Sequence, residues 1–151
     1  MAKIQCDGLK DIEKQLENNI KQIQNIEKLG VYEGAKVIAD EVNKQIDSIP
    51  SQCLLNERER EDLHKGLSVS KHQVDNDGIS AYISFAGYNS WTDGPSPGGE
   101  PILLIARSVS KGSSLRKGKY KFVGKAVSAK KTQAQEACIN KIENEIEKNN
   151  K

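Results

Sequence analysis

The sequence predicts an α+β domain, and three observations predict it. Long stretches near both ends carry apolar residues at steps of three or four, the spacing of one helical face. Between them, apolar and polar residues alternate on either side of an Asp-Gly pair, the pattern of an antiparallel hairpin. A short helical stretch and an aromatic-centred extended piece then precede the last helix. A small antiparallel sheet with helices against one face buries these surfaces together. The expectation is a single domain over residues 1–151, with N-terminal helices, a short middle helix and a long C-terminal helix packed on the sheet.

Residues 8–49 carry two apolar stripes. Leu9, Ile12, Leu16, Ile20, Ile23 and Ile26 form the first, behind Asp7 as an N-cap and ahead of Gly30 near its end. Val31, Ala35, Ile38, Val42, Ile46 and Ile49 form the second, which Pro50 stops. The two read as an antiparallel helical hairpin or as one long, interrupted helix. Residues 51–65 mix polar and charged residues with a short Leu54-Leu55 patch and read as a connection with a helical turn.

The period then changes. Leu67, Val69 and Lys71 alternate with polar neighbours, Asp75 to Gly78 supply turn chemistry, and Ile79, Ala81, Ile83 and Phe85 alternate on the far side, giving a β-hairpin over 66–86. Glycine, proline and small polar residues dominate 87–100, an exposed loop that carries Tyr88 and Trp91. Pro101 opens a short helix over 101–111, with Ile102, Ile105 and Val109 on one face and Gly112 as its C-terminal glycine. Residues 113–124 alternate around Tyr120 and Phe122 as a third strand or extended arm. A helix over 125–149 closes the chain, with Val127, Ala134, Cys138, Ile142 and Ile146 in a row.

Composition bounds the role. A chain of 151 residues buries roughly two thirds of its unfolded surface. With 36% hydrophobic, 5% aromatic and 29% charged residues, its core is modest, and neighbouring subunits are a natural place to complete the burial. The net charge of +2 argues against a generic polyanion binder, yet no acidic residue lies between Glu100 and Glu136. That interval holds Arg107, Lys111, Arg116, Lys117, Lys119, Lys121, Lys125, Lys130 and Lys131, a local positive field for an acidic protein surface or for passing DNA, or simply a solvated face. Cys6, Cys53 and Cys138 are odd in number and far apart, so neither a disulfide framework nor a zinc site is indicated and free thiols are expected. The N-terminus lacks the apolar core of a signal peptide, and the longest apolar run, 102–106, is too short to cross a bilayer. Synthesis and assembly in the cytoplasm, without a membrane partner, are expected.

Catalytic motifs fail on physical grounds. In GSSLRKGKY (112–120) the glycines stand six apart rather than at phosphate-loop spacing, and Tyr120 occupies the place of the magnesium-binding hydroxyl. His64 and His72 have no nucleophile in a recognisable setting and read as surface histidines. Glu57, Glu59, Glu61 and Asp62 alternate with Arg58 and Arg60, which reads as mutual screening on a solvated helix or loop rather than a metal site. Trp91, on a polar loop, is either folded back on its own domain or an anchor for a partner. No catalytic residue, cofactor or metal is therefore assigned.

Four segments carry a resemblance that covers most of the chain. GLKDIEKQL (8–16) resembles the opening of a first helix, and GAKVIADEVNKQIDSIP (34–50) resembles a second helix with a small-residue start and a terminal proline. ISFAGYNS, followed by GGEPILLIARSVSKGSS (98–114), resembles a glycine-rich loop, a short helix with an Ala-Arg pair and a Gly-Ser-Ser stop. KGKYKFVGKAVSAKKTQAQEACINKIENEI resembles an aromatic-centred arm leading into a closing helix. Together they are similar to the minor tail component or tail-completion (head–tail joining) proteins of long-tailed phages, in the branch of contractile-tailed prophages and phage-tail-like bacteriocins. Many members carry a Thr-Gly pair after the proline and Arg-Pro-Phe at the arm, where this chain has Ser51-Gln52 and Lys119-Tyr120-Lys121-Phe122.

The resemblance implies a subunit without catalysis that assembles as a homo-oligomeric ring, a hexamer if it matches tail symmetry. Such a ring would sit on the tail tube protein, end tube and sheath growth, and dock neck, connector or collar proteins. Its place would be the neck of a virion or tail particle. Tyr88, Trp91, Tyr120 and Phe122 are the expected anchors in 87–101 and 113–123, with Arg107, Lys117 and Lys119 meeting acidic neighbours. The alternative is a neck or channel protein that touches DNA nonspecifically.

Overall fold

The computed structural model describes residues 9–70, 73–75, 78–89 and 99–149. Helix α1 (Leu9–Asp47) is followed by a 3-10 turn (Ser51–Cys53) and helix α2 (Arg58–Gly66). Strands β1 (Leu67–Val69), β2 (Gln73–Asp75), β3 (Gly78–Ser80) and β4 (Ile83–Phe85) come next, then helices α3 (Ile102–Lys111) and α4 (Phe122–Asn149). The architecture is α+β.

The two N-terminal stripes belong to one continuous helix. Gly30 lies inside it and does not end it, because that glycine serves close helix packing. A Cβ there would stand 2.5 Å from Ile142 Cγ1 and 3.0 Å from the Cys138 carbonyl, and one on Gly34 would stand 2.8 Å from the Ala134 carbonyl. Helix α4 therefore runs antiparallel to α1 at close range, with Gly30 beside Ile142, Gly34 beside Ala134, and Gln45 beside Tyr120. The end of α1 is closed from a distance. Arg60 donates from Nη1 to the carbonyls of Ile46 (2.8 Å) and Asp47 (2.6 Å), and from Nη2 to that of Ile49 (2.9 Å). The Ile46 carbonyl also accepts from the Ile49 N–H (3.1 Å), and a cation is favoured at that end of the helix dipole.

The expected antiparallel hairpin forms, as two short ladders. Leu67 pairs with Phe85 and Val69 with Ile83 in the first ladder, Gln73 with Ser80 and Asp75 with Gly78 in the second. Where the ladders separate, Ser70 bridges them: its N–H donates to the Tyr82 carbonyl (2.7 Å) and its Oγ accepts from the Tyr82 N–H (2.9 Å). Lys71, at the edge of the first strand, lies outside the described residues.

Helix α3 buries Ile102, Ile105 and Val109, the expected face, and Gly112 ends it at φ +83°, where other residues are strained. These residues join Val42 and Ile46 of α1, Leu63 of α2, Phe85 of β4 and Phe122 of α4 in one core. Phe122 meets Phe85 edge-on, with ring centroids 5.8 Å apart, so α4 touches the sheet at its first turn and lies along α1 over most of its length.

Two expectations are corrected here. Residues 113–121 form no strand and do not reach outward. The Tyr120 N–H donates to the Val109 carbonyl (2.9 Å), Arg116 turns inward, and α4 begins at Phe122, three residues earlier than the spacing predicts. Within α4 the inward row starts at Phe122 and Ala126, both fully buried, while Val127 faces out at 40% exposure. Among the described residues no helix is long and apolar enough to cross a membrane.

Candidate assembly surface

Two kinds of surface meet the criteria for a functional site: an uncovered apolar helix face, and the basic segment around α3 and α4. The first follows from unequal helix lengths. Ile142 sits against Gly30 and α4 ends at Asn149, so at 1.5 Å per residue α4 runs out opposite about residue 23 of α1. Beyond that point the α4-facing side of α1 continues with no other element of the described residues beside it. Ile12, Leu16, Ile20 and Ile23 are 53–56% exposed there, the most regular apolar row on the described surface. A contiguous row of large apolar side chains in water marks an interaction surface more often than four scattered ones do.

Beside it, an open groove runs between α1 and α4. Val31 and Ile38 line it from α1, and Ala134, Cys138 and Ile139 from α4, with Lys131 and Gln135 on its rim. Burial of Cys138 among these groups pushes its thiol up from the ordinary value.

The residues expected as anchors divide. Tyr88 is 65% exposed beside Pro101, with which it forms an isolated bridge. Below it the loop's neck is clamped: the Asn89 N–H donates to the Glu100 carbonyl and the Glu100 N–H to Asn89 Oδ1, both at 2.9 Å. Trp91 lies outside the described residues. Arg107, Lys117 and Lys119 are exposed, as are Lys111, Lys121, Lys125 and Lys131.

Phe122 is not an anchor: it is fully buried in the core of its own chain. Tyr120 is largely committed to the body as well. Its hydroxyl donates to Gln45 Oε1 (3.1 Å), and Lys125 Nζ stands 3.8 Å from the ring centroid. The aromatic pair that marks the segment therefore fastens it down.

The acidic cluster divides: Glu57 and Glu61 are exposed, as a solvated face requires, and Glu57 pairs with Arg60 (3.2 Å), whereas Glu59 and Asp62 are buried. Glu59, Asp62, Leu63 and Gly66 are buried together at helical spacing. Glu59 is fully buried against Arg116, which donates from Nη1 to Oε2 (2.6 Å) and from Nη2 to Oε1 (2.7 Å). Arg116 also donates from Nη1 to the Cys53 carbonyl (2.9 Å) and from Nε to Ser108 Oγ (2.8 Å), and the Leu55 N–H donates to Glu59 Oε2 (2.9 Å). One of the nine cations of the acid-free interval is thus internal. The signal available in sequence was the placement of two acids at core positions around a lone Leu63, which demands a basic partner without saying which.

His64 is not a free surface residue. Its Nδ1 is 2.6 Å from Asn43 Oδ1 and its Nε2 is 2.9 Å from Asp47 Oδ1, which ties α2 to the end of α1. His72 lies outside the described residues. Among the described residues, no group of three His, Cys, Asp or Glu is placed to hold a metal ion.

Comparison with family models, with curated proteins and with solved structures finds no match to this chain.

Proposed function

We propose that this chain is a structural subunit of a phage-type tail, a tail-completion or head–tail joining protein that works as one copy of a ring at the top of the tail tube. The observation that carries the reading is the uncovered row Ile12, Leu16, Ile20 and Ile23 on a helix that outruns its own partner. Such a face is stable in water only at a cost of roughly 25 cal/mol for each Å² left bare, which a neighbouring subunit removes. The four segments that resemble the tail-completion family supply the identity of the assembly. Tyr88, Arg107, Lys117 and Lys119, exposed around the loop neck and α3, are the contacts offered to tube, sheath or neck.

The test is reconstitution with tail-tube protein. Tubes grown with the purified chain are expected to be shorter and to carry a ring at one end in negative stain. Tubes of unchanged length with bare ends overturn the reading, as does turnover of a small substrate by the purified chain.

A second reading rests on seven exposed cations, Arg107, Lys111, Lys117, Lys119, Lys121, Lys125 and Lys131, in an interval without an acid. In it the ring lines a channel for DNA. Binding to nonspecific duplex that falls steeply with salt supports this reading, and no binding at low salt removes it.

A further inference from the structure

The uncovered face of α1 and the groove between α1 and α4 are both apolar and carry opposite charges at their edges. The row from Ile12 to Ile23 spans eleven residue steps, about 16 Å of helix, and the groove wall from Lys131 to Ile139 spans eight, about 12 Å, so the groove takes part of the row. Both are apolar along the middle.

Their edges differ in sign. At roughly 100° per residue, Glu13 borders the row beside Ile20 and Glu17 lies next to it, with Lys10, Lys14, Lys21 and Lys28 further round the same flank. The groove offers Lys131, exposed and without an ion pair among the described residues, in a stretch of α4 free of acids until Glu136. Ile139, in its wall, is 54% exposed.

We propose that the outer half of α1 from one copy docks into the α1–α4 groove of the next, with Glu13 and Glu17 beside Lys131. Row and groove are different surfaces of one chain, so the contact is head-to-tail, and repeating it generates a ring if the rotation closes and a filament if it does not. The proposal deepens the ring reading above and rests on it for its setting, but the contact can be tested alone.

The full chain is compared by mass photometry and sedimentation with two variants: Leu16→Glu with Ile20→Glu, which spoils the row, and Ile139→Glu, which spoils the groove. All these positions are exposed, and circular dichroism confirms that each variant keeps its helices. The native chain is expected to assemble and each variant to be monomeric. An equimolar mixture of the two variants is expected to form dimers and stop there, because one intact row meets one intact groove. A native chain that stays monomeric, an Ile139→Glu variant that still assembles, or a mixture that stays monomeric overturns the proposal.

A charge exchange provides a second arm. Lys131→Glu is expected to weaken association by about tenfold, and adding Glu13→Lys with Glu17→Lys in the same chain to restore it. Absence of recovery counts against the contact. Alkylation of Cys138 gives a third readout, slowing as native protein concentration rises and losing that dependence when the row is spoiled. A chain that assembles this way but leaves tail tubes unaltered defeats the tail reading and not the contact. A chain that caps tubes while both variants still assemble defeats the contact and not the tail reading.

Discussion

Arg116 and Glu59 form a two-point ion pair in the interior of the domain, with N–O distances of 2.6 and 2.7 Å and both side chains at most 2% exposed. A serine hydroxyl, a backbone carbonyl and a backbone N–H use further hydrogen-bonding positions of the pair. It fastens residues 57 positions apart, joining α2 to the segment between α3 and α4.

Breaking this pair from one side leaves a bare charge in the core. Glu59→Ala or Arg116→Ala is expected to cost about 3–5 kcal/mol in urea unfolding, and replacing both with Leu and Met is expected to cost less than either alone.

Phe122 and Tyr88 should separate stability from assembly. Phe122→Ala removes a fully buried ring and is expected to lower stability by about 3–5 kcal/mol. Tyr88→Ala, at a 65% exposed position, should leave the melting curve unchanged within about 0.5 kcal/mol, and its effect should be sought in tube capping.

Gly34→Ala introduces a Cβ 2.8 Å from the Ala134 carbonyl. The two long helices must separate to admit it, at an expected cost of about 1–3 kcal/mol in chemical denaturation.

Arg60→Ala uncovers the last carbonyls of α1. The loss of three hydrogen bonds to a charged donor is expected to cost about 1.5–3 kcal/mol, and amide exchange should quicken first over residues 44–50.

Burial raises the Cys138 thiol above its ordinary value. The folded chain therefore resists forming the thiolate, and the associated stability is complete below the unfolded thiol's pKa and declines as pH rises through the folded value. Alkylation at Cys138 should begin at higher pH in native protein than in urea, and equal profiles would contradict the burial.

Legibility in the sequence followed how local each determinant is. Ile102, Ile105 and Val109 lie within one helix, so spacing alone locates their face. The antiparallel pairing of the hairpin follows from alternation on either side of an Asp-Gly pair. The continuity of α1 was not legible at Gly30, because a helix-ending glycine and a close-packing glycine look alike until the opposing helix is known. Phe122 read as an anchor because alternation in a lysine-rich stretch resembles an exposed arm, whereas Tyr120 and Arg116 hold that stretch down. The charge on Glu59 disguised a core position, since only a partner 57 residues away makes its burial tolerable. The resemblance to tail-completion proteins adds a functional expectation that the geometry alone does not supply.

The outer half of α1 is held by different forces from its inner half. From Gly30 onward, side chains of α4 and the core lock the backbone, whereas about fourteen residues towards the N-terminus rely on helix propensity and on continuity with the turn behind them. Their amides should exchange with solvent from the tip inward in an isolated subunit. Seating that tip in a binding partner then carries an ordering cost, so the strength of the joint depends on temperature and on helix-promoting cosolvent even where no contact changes.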